Sequence, residues 1–111
     1  IADVKTKPRR RYYPDTGINI KHYNDYMRFI VKHDMQVWIF FVDEIEARVY
    51  AGELSALSRD RQIEHNNKTL IYPIRSGGII YFPLCCMTPV CDLTVDVQKK
   101  LISLSSRNYS Y

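Results

Sequence analysis

Little in this chain points to a disulfide scaffold, a metal finger or a membrane span. Only three of its 111 residues are cysteine, namely Cys85, Cys86 and Cys91, and no histidine lies near them in sequence. Adjacent cysteines rarely close a strain-free bridge, and an odd count leaves a thiol unpaired. Their spacing matches no zinc pattern, so they read as small apolar packing residues in a reducing compartment. No apolar run approaches the roughly 18 residues of a membrane-spanning helix, and no secretory signal pattern is visible. The expected location is cytoplasmic. Glycine is scarce, at four residues, Trp38 is the single tryptophan, and no internal repeat or linker stands out.

What is present is an ordinary globular composition, 46% hydrophobic and 25% charged, which excludes a disordered chain. The length suffices for one modest core, so one domain over 1–111 is expected. The formal charge of +4 is unevenly placed. Five of the seven residues from 5 to 11 are basic, namely Lys5, Lys7, Arg9, Arg10 and Arg11, and with Asp3 they account for the whole net charge. Such local basicity suits a contact for a polyanion; a solvated loop that binds nothing is the plainer alternative.

Apolar periodicity sets the expected elements. Residues 1–6 read as a strand, and 7–17, punctuated by Pro8, Pro14 and Gly17, as a loop. Ile20, Tyr23, Met27, Ile30 and Val31 recur at helical spacing, which predicts an amphipathic helix over 18–32 capped by Asp15, Thr16 or Asn19. The run QVWIFFV at 36–42 has the composition of a central strand covered on both faces, with Trp38 in the core. Residues 43–46 turn the chain, and 47–51 return as an antiparallel strand. A short helix or loop is expected over 55–62, a turn at 66–68, and two short strands at 69–74 and 79–84. A last helix, capped by Asp92 or Thr94, runs to about 103 with Val95, Val97, Leu101 and Ile102 as its apolar positions. The residues after 105 read as frayed. The fold class is α/β, a mixed central sheet flanked by helices.

Asp3 and Lys5 stand two apart on the first strand and therefore share one face. A carboxylate able to hold a divalent cation thus sits beside an ammonium able to polarise water or phosphate. A strand bearing Asp-x-Lys, then an amphipathic helix, then an apolar strand resembles the second half of the PD-(D/E)XK nuclease core, found in Holliday-junction resolvases and RecB-type nucleases. The resemblance spans 1–51, with the strands and helix of 69–105 outside it. It implies a restriction-endonuclease-like fold, a magnesium or manganese cofactor, DNA as the partner and phosphodiester hydrolysis as the activity. It further implies Asp3 and the Val4 carbonyl as metal ligands and Lys5 as the water-orienting cation. RecB-type members carry Gln-x-x-x-Tyr on the following helix; this chain has His22 and Tyr26 at that spacing, on one helix face. Asp stands where Glu is commoner, and no residue here matches the family's first acid. Since the chain opens at Ile1 already inside a strand, the expectation is a core continued upstream.

Lys7, Arg9, Arg10 and Arg11 are the expected phosphate clamps, and Tyr12 and Tyr13 the expected stacking groups for unpaired bases. Plainer roles stand beside each of these. Asp3 and Lys5 also suit an edge-strand ion pair, His22 and Tyr26 a half-buried aromatic patch, and the tyrosine pair an anchor for the loop. His33 and Asp34 fall at a helix end, where a cation favours the dipole, and His65 in a polar turn has no assigned role. A non-catalytic nucleic-acid-binding module, or one that self-associates into a homodimer or higher oligomer through its open sheet edge, is the alternative to the nuclease.

Overall fold

The computed structural model describes residues 1–104. In chain order these form β1 (Ala2–Thr6), β2 (Asp15–Asn19), α1 (Ile20–His33), β3 (Trp38–Asp43), β4 (Arg48–Glu53) and α2 (Leu54–Leu57). There follow β5 (Arg61–His65), β6 (Lys68–Tyr72), β7 (Ile74–Ser76), β8 (Ile79–Pro83), a short 3-10 turn at Leu84–Cys86, β9 (Thr88–Asp92) and α3 (Val95–Leu104).

A mixed four-stranded sheet runs in the order β1-β3-β4-β9, with β1 parallel to β3 and the other neighbours antiparallel. A second sheet, β2-β8-β7, is antiparallel, and β5 and β6 pair as a separate hairpin. The architecture is thus α/β with a mixed sheet and helices. Strands 1–6, 36–42 and 47–51 share one sheet, as expected. Ile39 and Phe41 from β3, Ile18 from β2, Ile80 and Phe82 from β8 and Tyr23 from α1 meet in the core. Leu54 and Leu57 of α2 close it, and Met27 and Ile30 of α1 pack on its border.

Asn19 is the helix cap, its Oδ1 accepting the Lys21 amide at 2.8 Å. At the other end Asp34 takes the left-handed conformation and donates its amide to the Ile30 carbonyl, a common way to end a helix. Val31 lies outside the apolar stripe and is exposed. Thr94 caps α3, its Oγ1 accepting the Val97 amide at 3.3 Å.

Several expectations are corrected. The strand at 36–42 is fully covered on one face only: Ile39 and Phe41 are buried, while on the other face Phe40 and Val42 are half-buried and Trp38 is 38% exposed and is not core. The reason is alternation, since Trp38, Phe40 and Val42 point away from the layer that carries β2, β8 and α1. The loop at 7–17 stops early, because Asp15–Asn19 is a strand paired with β8. The expected strand at 69–74 divides into β6 and β7, and the unexpected β9 pairs with β4. In α3, Val95, Val97 and Ile102 are exposed; the helix is tethered by Gln98, whose Nε2 donates to the Glu44 and Ile45 carbonyls. Of the cysteines, Cys86 packs against the core, but Cys85 and Cys91 are exposed free thiols. The fraying expected after residue 105 lies outside the described residues.

Candidate phosphodiester site

Parallel pairing matches Asp3 to Ile39 and Lys5 to Phe41, so both polar side chains lie on the inner face of the sheet, at its edge. There α1 passes over them with His22 and Tyr26, one turn apart. The four side chains converge. Lys5 Nζ lies 3.2 Å from Asp3 Oδ2 and 3.2 Å from His22 Nδ1, and 5.7 Å from the centre of the Tyr26 ring. The Tyr26 hydroxyl donates to Asp3 Oδ2, and the Val4 amide donates to Asp3 Oδ1 at 2.9 Å. The Val4 side chain itself points outward and is exposed.

Partial burial would raise the Asp3 carboxyl, but hydrogen bonds from Tyr26 and Lys5, the Lys5 charge and the Val4 amide outweigh it, leaving the group below its ordinary value. Burial likewise pulls Lys5 down, while Tyr26 and Asp3 hold the ammonium above its ordinary value. Burial and donation to Asp3 push the Tyr26 phenol up, against the opposing Lys5 charge. At neutral pH the corner therefore holds one fixed anion, one fixed cation and a protonated phenol. A histidine ring nitrogen faces the cation.

The basic run is more constrained than its sequence suggests. Arg10 turns inward: its Nε and Nη2 each lie 2.7 Å from a carboxylate oxygen of Asp15, which is fully buried. The Tyr72 hydroxyl donates to the same carboxylate at 2.6 Å. Above the guanidinium lie the rings of Tyr81 and Tyr13, at 3.8 and 4.1 Å. Arg9 closes the loop, with its amide on Asp43 Oδ2 and its Nη2 on the Tyr13 carbonyl, both at 2.9 Å. Lys7 lies 5.3 Å from the Tyr81 ring and Arg11 5.3 Å from that of Tyr12. Tyr72 and Tyr81 reach Arg10 only through the pairing of β2 with β8 and the approach of β6, which leaves no signal in the sequence, and Asp15, five residues on, reads there only as a helix cap. Beyond the loop, Tyr12 and Tyr13 face His65, Asn66, Lys68 and Leu70 across a cleft of about 340 Å³. Of this opposite wall the sequence offers the turn signal at 66–68 and the strand expected at 69–74, which carries Leu70.

The donors present do not make a magnesium or manganese centre by themselves. Hard cations take several oxygen ligands, and here Asp3 is the one carboxylate of the corner, with both oxygens already accepting hydrogen bonds. Among the described residues no group of three or more His, Cys, Asp or Glu is placed to hold a metal ion. Other acids are engaged elsewhere: Asp15 with Arg10, Asp25 with Arg28, and Asp43 with the amides of Arg9, Ile45 and Glu46. Comparisons with protein-family models, characterised proteins and solved structures find no match to this chain.

Proposed function

We propose that this chain is a nuclease-like domain, of restriction-endonuclease-like fold, that engages the phosphodiester backbone of DNA. The observation carrying this reading is the meeting of Asp3 and Lys5 on β1 with His22 and Tyr26 on α1. The four belong to two short sequence patterns 17 to 23 residues apart that meet only through the fold. Lys5 offers a charge-assisted donor for a non-bridging phosphate oxygen or an attacking water. His22, touching Lys5 through Nδ1, is the group placed to carry a proton. Tyr26 and the Val4 amide hold Asp3 in place. Lys7, Arg9 and Arg11 line the approach for the backbone, while Arg10 anchors the loop that carries them.

Hydrolysis supported by magnesium or manganese requires oxygen ligands from outside the described residues, such as the DNA phosphates, water or a second chain. A homodimer or higher oligomer is in keeping with β1, whose outer side pairs with no strand among the described residues and whose Val4 is exposed. A cytoplasmic location is part of the same proposal; no helix among the described residues is long and apolar enough to cross a membrane.

The engagement of both Asp3 oxygens in hydrogen bonds favours a second reading, a DNA-binding or self-associating module without hydrolysis. End-labelled DNA incubated with the chain in magnesium or manganese separates the two. Cleavage that falls about 100-fold or more in Lys5→Ala and His22→Ala supports the nuclease. Binding with no cleavage by the unaltered chain, in either metal, supports the module.

A further inference from the structure

We infer that the cleft between the Tyr12–Tyr13 loop and the β5–β6 turn holds an unpaired base of a single-stranded nucleic acid. The inference rests on the nucleic-acid reading above and names the form of substrate.

Two large aromatic rings stand in water on a loop that is otherwise tightly tied, Tyr12 at 71% and Tyr13 at 41% exposure. The tying is specific. Arg9 binds the Tyr13 carbonyl, and the Arg10 guanidinium, itself fixed by buried Asp15, lies 4.1 Å from the Tyr13 ring. A ring backed by a cation on one side and open on the other is a preformed stacking surface, with little side-chain entropy left to lose on binding. The opposite wall is equally firm. Asn66 and Asn67 both adopt positive φ, 50° and 63°, in the two-residue turn that joins β5 to β6, the geometry such hairpins favour.

The lining chemistry selects the ligand. Leu70 supplies an apolar surface, while His65 and Asn66, 3.2 Å apart, offer donors and acceptors for a base edge. Lys68 lines the cleft and Arg11 lies over Tyr12, whereas among the described residues no carboxylate lines it. An aromatic, cationic, acid-free cleft suits a flat anionic ligand. At about 340 Å³ it falls at the small end of ligand clefts. The bases of a duplex keep their faces stacked, so only an unpaired base can offer one to Tyr12 or Tyr13.

Fluorescence anisotropy tests this with labelled short oligothymidylate and a blunt duplex, both in EDTA so that binding is read without chemistry. Tyr12→Ala/Tyr13→Ala should weaken oligothymidylate binding about tenfold or more and leave duplex binding within about twofold. Tyr12→Phe/Tyr13→Phe, which keeps the rings, should bind both like the unaltered chain. Unchanged oligothymidylate binding by the alanine variant would overturn the inference, as would equal losses for the two ligands or no oligothymidylate binding by the unaltered chain. The cleavage assay is scored separately. Tyrosine-dependent binding without any cleavage keeps the cleft and removes the nuclease; Lys5-dependent cleavage with tyrosine-independent binding does the reverse.

Discussion

At the scale of single residues, the chain spends its charges in two different ways. Asp15 is a buried anion whose oxygens are consumed by Arg10 and Tyr72, and its work is structural. Asp15→Ala leaves the Arg10 guanidinium without its partner and the Tyr72 hydroxyl without its acceptor. Because Arg10 is about a quarter exposed, the expected loss is about 2–3 kcal/mol, below the range for a fully buried pair; a urea titration showing less than about 1 kcal/mol would contradict the latch. Asp3 and Lys5, by contrast, sit half-open at the sheet edge. The folded Asp3 carboxyl lies below its ordinary 3.8, so its stabilising share is present above that value and is lost as the pH falls through the folded one. Lys5 is raised above 10.5, so its share is present below that value and is lost as the pH rises through the folded one. The stability difference between the unaltered chain and Asp3→Asn should accordingly be flat from about pH 5 to 9 and shrink below about pH 4. A difference that changes between pH 6 and 8 would point to another titrating group.

At the scale of elements, legibility follows local pattern strength. β1, α1, β3 and β4 were readable because each carries several apolar residues at one period, and the Asp-x-Lys and His-x-x-x-Tyr pairs were readable because spacing alone assigns a face. β2 and β9 were not. Asp15–Asn19 contains Asp, Gly and Asn, and Thr88–Asp92 contains Pro and Asp, all poor strand residues. They become strands only by pairing with β8 and β4. Gly17 shows why the residue type still matters, since a Cβ there would stand 2.1 Å from the Ile80 carbonyl oxygen. Trp38 shows the same limit, since an all-apolar run does not disclose which of its faces is covered. Phe41→Ala should cost about 3–5 kcal/mol and Trp38→Ala under about 2, measured by denaturant unfolding. Equal costs would mean that both faces of β3 are buried.

Across the whole molecule, the net charge of +4 is carried by the first eleven residues, a segment that runs from the Asp3–Lys5 corner to the loop bearing Tyr12 and Tyr13. The cleft itself was beyond sequence reasoning, because its two walls lie more than fifty residues apart and meet only in three dimensions. If the loop meets phosphates, Lys7→Ala and Arg11→Ala should each lower the slope of log affinity against log salt by about one unit. Arg10→Ala should instead lower stability. Slopes unaffected by Lys7 and Arg11 would reduce the loop to a solvated surface.

The most direct test of the central claim compares Asp3→Asn with the unaltered chain in parallel assays of DNA cleavage and DNA binding, with magnesium or manganese supplied. Asparagine keeps the shape and the Val4 contact but removes the charge. Cleavage should fall to background while DNA affinity stays within about twofold, since the loop cations rather than Asp3 hold the backbone. Cleavage that survives Asp3→Asn would contradict the claim and place the reactive groups elsewhere on the molecule.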